Sequence, residues 1–199
     1  MGILMVGVGG QGVVLASDIL AQVAVSLGYD AKKSEVHGMA QRGGVVSCHV
    51  RYGKEVLSAF IRRGGADIIV AFEEAEALRW LEYLKPQGVL IVNRDRIVPP
   101  IAFRRGYSYP KEAVEELKRR VKNLLLIEGH DMAVRLGNPK LVSSILLGAL
   151  SNYLDLPQEE WERAITQRVP QATIDKNLEA FASGRNYKGE NPAHLPSHL

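Results

Sequence analysis

The chain has 199 residues, 46% hydrophobic, 24% charged and 7% aromatic, a composition that fits one globular domain with a sizeable core. A net charge of +3 and a pI near 9.0 leave room for an anionic small ligand or an acidic partner, but the basic balance is too weak for a nucleic-acid binder. A single cysteine, Cys48, excludes a disulfide framework, a zinc site or a cysteine-ligated iron–sulfur cluster built from this chain alone. No apolar run approaches the ~20 residues of a membrane-spanning helix.

These features point to an intracellular chain, expected in the cytoplasm. No basic region precedes the first apolar stretch, so no signal peptide is expected. Ile3-Leu-Met-Val6 is a short apolar run ended by Gly7-Val-Gly-Gly-Gln-Gly12, which predicts a strand feeding a glycine turn. Val13, Val14, Ser17, Ile19, Leu20, Val23, Ala24 and Leu27 then recur at helical spacing, with Gly28 as the stop. Residues 29–36 predict a second strand, short and less apolar, followed by a loop at 37–44.

Val45–Tyr52 alternates as a strand, and Gly53-Lys54 predicts a tight turn into Glu55–Phe60, giving a hairpin. Asp67–Phe72 is a continuous apolar run, as in a buried parallel strand. Glu73–Leu84 is expected as a helix closed by Lys85-Pro-Gln-Gly88, and Val89–Val92 as another buried strand. Residues 93–110 show weak periodicity. A charged helix at 112–122, a strand at 124–127 and a short helix at 131–136 follow. Asn138 and Pro139 read as the cap and first turn of an apolar helix running to Leu150. Further helices are predicted from Pro157 and over Thr173–Ala182. Residues 1–184 form the single expected domain, and 185–199 read as a polar, mobile tail. The alternation gives an α/β three-layer sandwich: a mostly parallel, Rossmann-like sheet with an antiparallel hairpin and a helical C-terminal part.

Gly7-x-Gly9-x-x-Gly12 has the spacing of a dinucleotide loop and joins a strand to a helix, as that motif requires. Glycines let the backbone turn sharply and approach a phosphate, while the helix start offers free N–H groups and a positive dipole end. The same spacing also serves a tight strand–helix crossover with no ligand. A nicotinamide dinucleotide would need an acidic residue about twenty positions on for its ribose. Asp30 and Glu35 bracket that place, but Lys32 and Lys33 between them favour a phosphate over a ribose diol.

Ser34-Glu-Val-His-Gly-Met-Ala-Gln-Arg-Gly-Gly44 concentrates chemistry in a polar stretch. Gly38, Gly43 and Gly44 permit close backbone approach. Gln41 and Arg42 present donors suited to phosphate or carboxylate. His37 adds an imidazole able to give or take a proton. Taken singly, His37 is an ordinary loop histidine, Arg42 a surface ion-pair partner and Gly43-Gly44 the start of a strand. Together they suit an anion site or an interface with a partner's active site, and the chemistry leaves both open. No Gly-x-Ser-x-Gly elbow and no Walker loop occurs. His130-Asp131 has no metal-ligand companion, and Cys48 falls within a predicted strand as a packed residue. No metal site is expected.

The two signatures, Gly7–Val14 and Ser34–Gly44, resemble those of the gamma-type module of the 2-oxoacid:ferredoxin oxidoreductases. Ala71-Phe-Glu73, Tyr83-Leu-Lys-Pro86, Gly137-Asn-Pro139, Leu146-Leu-Gly-Ala149 and Arg168-Val-Pro170 agree with that family. The resemblance covers roughly residues 3–185 and leans to the arylpyruvate branch, which acts on indolepyruvate. It implies oxidative decarboxylation of a 2-oxoacid, with coenzyme A as acyl acceptor and ferredoxin as electron acceptor. Thiamine diphosphate with Mg2+ and 4Fe–4S clusters would supply the chemistry. With one cysteine and no Gly-Asp-Gly…Asn motif, this chain is expected to hold none of them, so they belong on a larger partner subunit.

The resemblance thus implies an accessory subunit, inactive alone, that completes the active site and helps admit coenzyme A. Gly7, Gly9, Gly10, Gln11 and Gly12, with Ser34, Gly38, Arg42, Gly43 and Gly44, would bind the nucleotide. His37, Gln41 and Arg42 would face the partner's cofactor site, with no catalytic residue assigned. No nucleic acid and no membrane is expected as a partner. The alternatives are the gamma subunit of a pyruvate, 2-oxoglutarate or 2-oxoisovalerate enzyme, or a free-standing nucleotide-binding module.

Overall fold

The computed structural model describes residues 1–38, 44–97, 109–110 and 112–189. Its strands are β1 (Gly2–Val8), β2 (Asp30–His37), β3 (Val45–Gly53), β4 (Ala66–Ala71), β5 (Leu84–Asn93) and β6 (Asn123–Ile127). Its helices are α1 (Val13–Ser26), α2 (Glu74–Arg79), α3 (Ala113–Arg120), α4 (Gly129–Arg135), α5 (Val142–Ser151), α6 (Gln158–Arg168) and α7 (Ile174–Arg185). The strands form one sheet in the order β2-β3-β1-β4-β5-β6. β1, β4, β5 and β6 are mutually parallel, and β3 runs antiparallel to both its neighbours, β1 and β2. β2 therefore points the same way as β1, and the carboxyl ends of every strand except β3 share one edge of the sheet.

Alternation along each strand feeds two core layers. Ile3, Met5, Ile68, Val70 and Ile91 join the larger layer under α1 and α4–α7. Leu4, Val6, Ile69, Leu90 and Val92 join the smaller layer under α2 and α3. Burial on both faces is why these strands read as continuous apolar runs. α1 buries Val13, Ala16, Ile19, Leu20 and Val23 at helical spacing. It ends at Gly28, whose φ of 82° lets Gly28 and Tyr29 N–H bond back to the Val25 and Ala24 carbonyls at 3.0 and 3.1 Å. Helices α5 and α7 meet backbone to backbone. A Cβ on Gly148 would collide with the Phe181 carbonyl, and one on Gly184 with the Ile145 carbonyl.

Three expectations change. Glu55–Phe60 is not a strand: both edges of β3 are already taken, by β1 from Gly2↔Arg51 to Val8↔Val45 and by β2 from Asp30↔Gly53 to His37↔Val46. The antiparallel hairpin is β2–β3. Residues 55–61 instead run as a loop pinned by Val56 N–H to Asp30 Oδ2 at 2.8 Å and Ile61 N–H to His49 Nδ1 at 3.2 Å. Next, the helix expected at 73–84 stops at Arg79, one 3-10 turn follows, and Lys85-Pro-Gln-Gly88 is extended chain inside β5 rather than a cap. Pro86, lacking an N–H, lies where the β4–β5 register shifts. Gly88 is required there because a Cβ would sit 2.9 Å from the Asp67 carbonyl. Finally, α7 runs three residues past the expected Ala182 to Arg185, held by Asn152 Nδ2 to the Arg185 carbonyl at 2.8 Å, and Tyr187 packs on the core. Residues 190–199 of the expected tail lie outside the described residues. Among the described residues no helix is long and apolar enough to cross a membrane.

Candidate functional site

The glycine loop leaves β1 at the shared carboxyl edge and enters α1 directly. Its glycines answer different demands. Gly7 is a packing position: a Cβ there would lie 2.8 Å from both Gln11 Oε1 and Phe72 Cβ and 2.9 Å from Val13 Cγ2. Gly10 and Gly12 are conformational positions, with φ of 99° and 85° in the left-handed region. Gly10 has open space around it, whereas a Cβ on Gly12 would press on Ser143 at the start of α5, 3.1 Å away. Gly9 and Gly10 are exposed.

Gln11 turns inward. Its Oε1 accepts the Val8 N–H at 2.8 Å and its Nε2 donates to the Phe72 carbonyl at 3.0 Å, so its amide ties the loop to the end of β4. The donors this loop offers outward are therefore chiefly backbone. Gly12 is the N-cap of α1, with no side-chain cap and no acidic residue in the first turn. The first N–H groups of a 14-residue helix thus face the loop without a side-chain acceptor, at the positive end of the helix dipole.

The second predicted stretch arrives beside the first. Because β2 and β1 share a direction, the β2–β3 connection lies at the same edge, and Gly9 N–H donates to the Gly44 carbonyl at 2.9 Å. Gly38 N–H donates to the Val45 carbonyl at 2.7 Å, and the tight fit of Gly38 against Val45 closes the hairpin base. Gln41, Arg42 and Gly43 lie outside the described residues. Ser34, Glu35, Val36 and His37 belong to β2, with His37 its last residue. Ser34 sits mid-strand opposite His49, on the face away from Lys33, Glu35 and His37, and no hydrogen bond joins it to the glycine loop among the described residues.

His37 is exposed, and its Nε2 stands 3.5 Å from Glu35 Oε1. Glu35 Oε2 meets Lys33 Nζ at 3.1 Å, Lys33 pairs with Asp18 of α1, and Asp18 also takes Arg168 of α6. The Lys33 ammonium holds the Glu35 carboxyl below the usual carboxylate range. Burial pulls the Lys33 ammonium down, but its bonds to Asp18 and Glu35 outweigh that, so it sits above its ordinary value. This alternating row fixes the outer strand of the hairpin against α1.

Two residues not singled out in the sequence shape the same edge. Asn93, fully buried, donates from Nδ2 to the Phe72 carbonyl at 3.2 Å and accepts Gly129 N–H on Oδ1 at 2.9 Å, stitching the ends of β4 and β5 to the start of α4. Glu73, 1% exposed, caps α2 by accepting Glu76 N–H at 2.9 Å and also accepts Ile97 N–H at 3.3 Å and the Tyr109 hydroxyl. Burial raises its carboxyl above the usual range against those bonds. The available signal was positional: a carboxylate directly after the apolar run Ile68–Phe72.

Among the described residues no group of three or more His, Cys, Asp or Glu side chains is placed to hold a metal ion. Cys48 is buried in β3, and burial pushes its thiol up, away from the reactive thiolate. What the edge can do is bind: backbone donors, a helix start and a charged hairpin converge there, with no nucleophile–base pair among the described residues.

The family described as pyruvate ferredoxin/flavodoxin oxidoreductase matches residues 2–187. The chain is 37% identical over 190 residues to the indolepyruvate oxidoreductase subunit IorB of Thermococcus kodakarensis, an alignment covering 92% of this chain and 93% of that one. It is 28% identical over 185 residues to the 2-oxoglutarate synthase subunit KorC of Methanothermobacter marburgensis, covering 92% and 94%. The solved gamma subunit of a keto/oxoacid ferredoxin oxidoreductase from Geobacter sulfurreducens is similar with a TM-score of 0.67 and 25% identity, over 92% of this chain and 95% of that one.

Proposed function

This chain belongs to the pyruvate ferredoxin/flavodoxin oxidoreductase family, and from that premise we propose that it is the accessory subunit of an enzyme that oxidatively decarboxylates indolepyruvate or another arylpyruvate. In that reaction the 2-oxoacid loses carbon dioxide, its acyl group forms a thioester with the coenzyme A sulfur, the thiol proton is released, and ferredoxin takes up the two electrons one at a time. The higher identity to an indolepyruvate oxidoreductase subunit, 37% against 28% for a 2-oxoglutarate synthase subunit, supports the arylpyruvate substrate. The complex acts in the cytoplasm.

The donor set of this chain does not fit the redox cofactors. One buried thiol cannot ligate a cluster, and no metal-ligating group of three side chains stands among the described residues. Thiamine diphosphate, Mg2+ and the iron–sulfur clusters belong to the larger partner, which also meets ferredoxin. The part left to this chain is to complete the site and admit coenzyme A. The observation that carries this reading is the uncapped start of α1 lying beside the Gly9–Gly44 bond at the carboxyl edge. Backbone donors of Gly10 and Gly12 receive the anionic nucleotide while the Gly9 N–H holds the Gly44 carbonyl, Arg42 adds charge, and His37 and Gln41 face the partner's cofactor.

The test is coenzyme A titration of the reconstituted complex carrying Arg42→Ala. The reading expects at least a tenfold rise in the apparent KM for coenzyme A with binding of the 2-oxoacid unchanged. An unchanged KM and rate refute the role of Arg42. Turnover of 2-oxoglutarate in preference to arylpyruvates refutes the substrate assignment.

A further inference from the structure

Strand β6 closes one side of the sheet, and among the described residues no strand pairs with its outer edge. Arg94 N–H donates to the Ile127 carbonyl at 2.9 Å, extending the parallel ladder in which Asn123, Leu125 and Ile127 bond toward β5. By alternation the N–H and C=O groups of Leu124 and Leu126 point outward, and neither residue has a backbone partner on that side among the described residues. An open row of this kind is a template for another strand.

The surroundings are not those of an edge merely left bare. A cavity of about 470 Å³ runs along it from Lys122, ahead of β6, to Glu128, behind it. Leu124, Leu126 and Val121 give it an apolar floor, and Tyr187 also lines it. Three cations stand over it: Arg94, Lys118 and Lys122. Arg94 is paired with Glu128 at 2.7 Å and Lys118 with the exposed Glu115 at 3.2 Å, while Lys122 has no carboxylate partner among the described residues. The groove therefore combines unpaired backbone, apolar contact at alternate positions and an excess of positive charge.

We propose that this edge accepts a seventh strand, an extended acidic segment of the larger partner subunit. Its main chain bonds to Leu124 and Leu126, its apolar side chains rest on the leucine floor and its carboxylates face Arg94, Lys118 and Lys122. Strand addition explains why backbone groups, apolar floor and cations line one groove the length of β6. The inference rests on the reading of this chain as an accessory subunit. A rival occupant lies within the chain itself: a Cβ on Gly189, the last described residue, would stand 3.8 Å from the Leu126 carbonyl, so the described chain ends beside the groove.

Amide hydrogen exchange on the full chain, alone and in the reconstituted complex, separates the cases. The proposal expects the Leu124 and Leu126 amides to exchange freely in the isolated chain and at least tenfold more slowly in the complex. It also expects the Lys118→Glu, Lys122→Glu double variant to weaken assembly at least tenfold, with a flatter salt dependence. Amides already slow in the isolated chain assign the groove to residues 190–199 and overturn the proposal. So do amides that stay fast in an active complex, or a double variant that assembles normally. Failure of any complex to form counts instead against the subunit reading.

Discussion

Single residues at the carboxyl edge carry opposed demands, and two of them make the clearest tests. Glu73 is ionisable yet buried among N–H and O–H donors, and its carboxyl titrates above the usual range. The folded state then holds its proton longer than the unfolded chain does. The stability that Glu73 contributes should fall as pH rises from the ordinary glutamate range through the raised value, and stay at its lower level above it. Glu73→Gln should remove that pH slope, read as the denaturant midpoint across the acid range. Gly7 and Gly10 differ in kind. Gly7→Ala forces an atom against Gln11, Phe72 and Val13, with an expected loss of ~1–3 kcal/mol in urea unfolding. Gly10→Ala meets no neighbour, so its loss of ~1–2 kcal/mol comes from the left-handed backbone alone. Equal effects of both on Gln11 contacts, seen by amide chemical shifts, would contradict this division.

Elements were legible in the sequence where burial or capping dictated them. β1, β4 and β5 are apolar because both faces are covered, and α1 shows its apolar stripe and its Gly28 stop plainly. The partner of β3 was not legible. Gly53-Lys54 looks locally like a turn, but pairing is decided by which strands claim both edges of β3, and that is a long-range fact. The start of β5 was hidden for a similar reason: Pro86 and Gly88 resemble a helix stop, yet they serve a register shift and a close strand approach. At the site, the two glycine stretches could be read and their meeting anticipated, because strands of one direction deliver their loops to one edge. The inward turn of Gln11 and the stitching by Asn93 could not, since both depend on distant carbonyls. The α5–α7 contact was equally invisible. Gly148→Ala or Gly184→Ala should each destabilise by ~3 kcal/mol or more, because the opposing atoms are backbone and cannot rotate aside. Thermal unfolding of either variant checks this, and a shift of under a degree would contradict it.

At the scale of the whole molecule, the proposed site lies at one edge of the sheet and, among the described residues, the far side is left open. The carboxyl edge gathers the glycine loop, the hairpin base and the starts of α1, α2 and α4, while β6 lies at the far side of the sheet. A subunit so arranged should show no 2-oxoacid-dependent ferredoxin reduction alone and gain it on mixing with its larger partner. Ferredoxin reduction assayed before and after reconstitution checks this, and activity in the isolated chain would contradict it. The buried position of Cys48, the one thiol of the chain, has a practical corollary. Oxygen meets no exposed thiol in this chain, so on the proposed reading the assembled enzyme should lose activity to oxygen chiefly through the partner expected to carry the clusters. An enzyme inactivated by aeration should then recover when fresh partner is exchanged in, and should gain nothing from fresh copies of this chain.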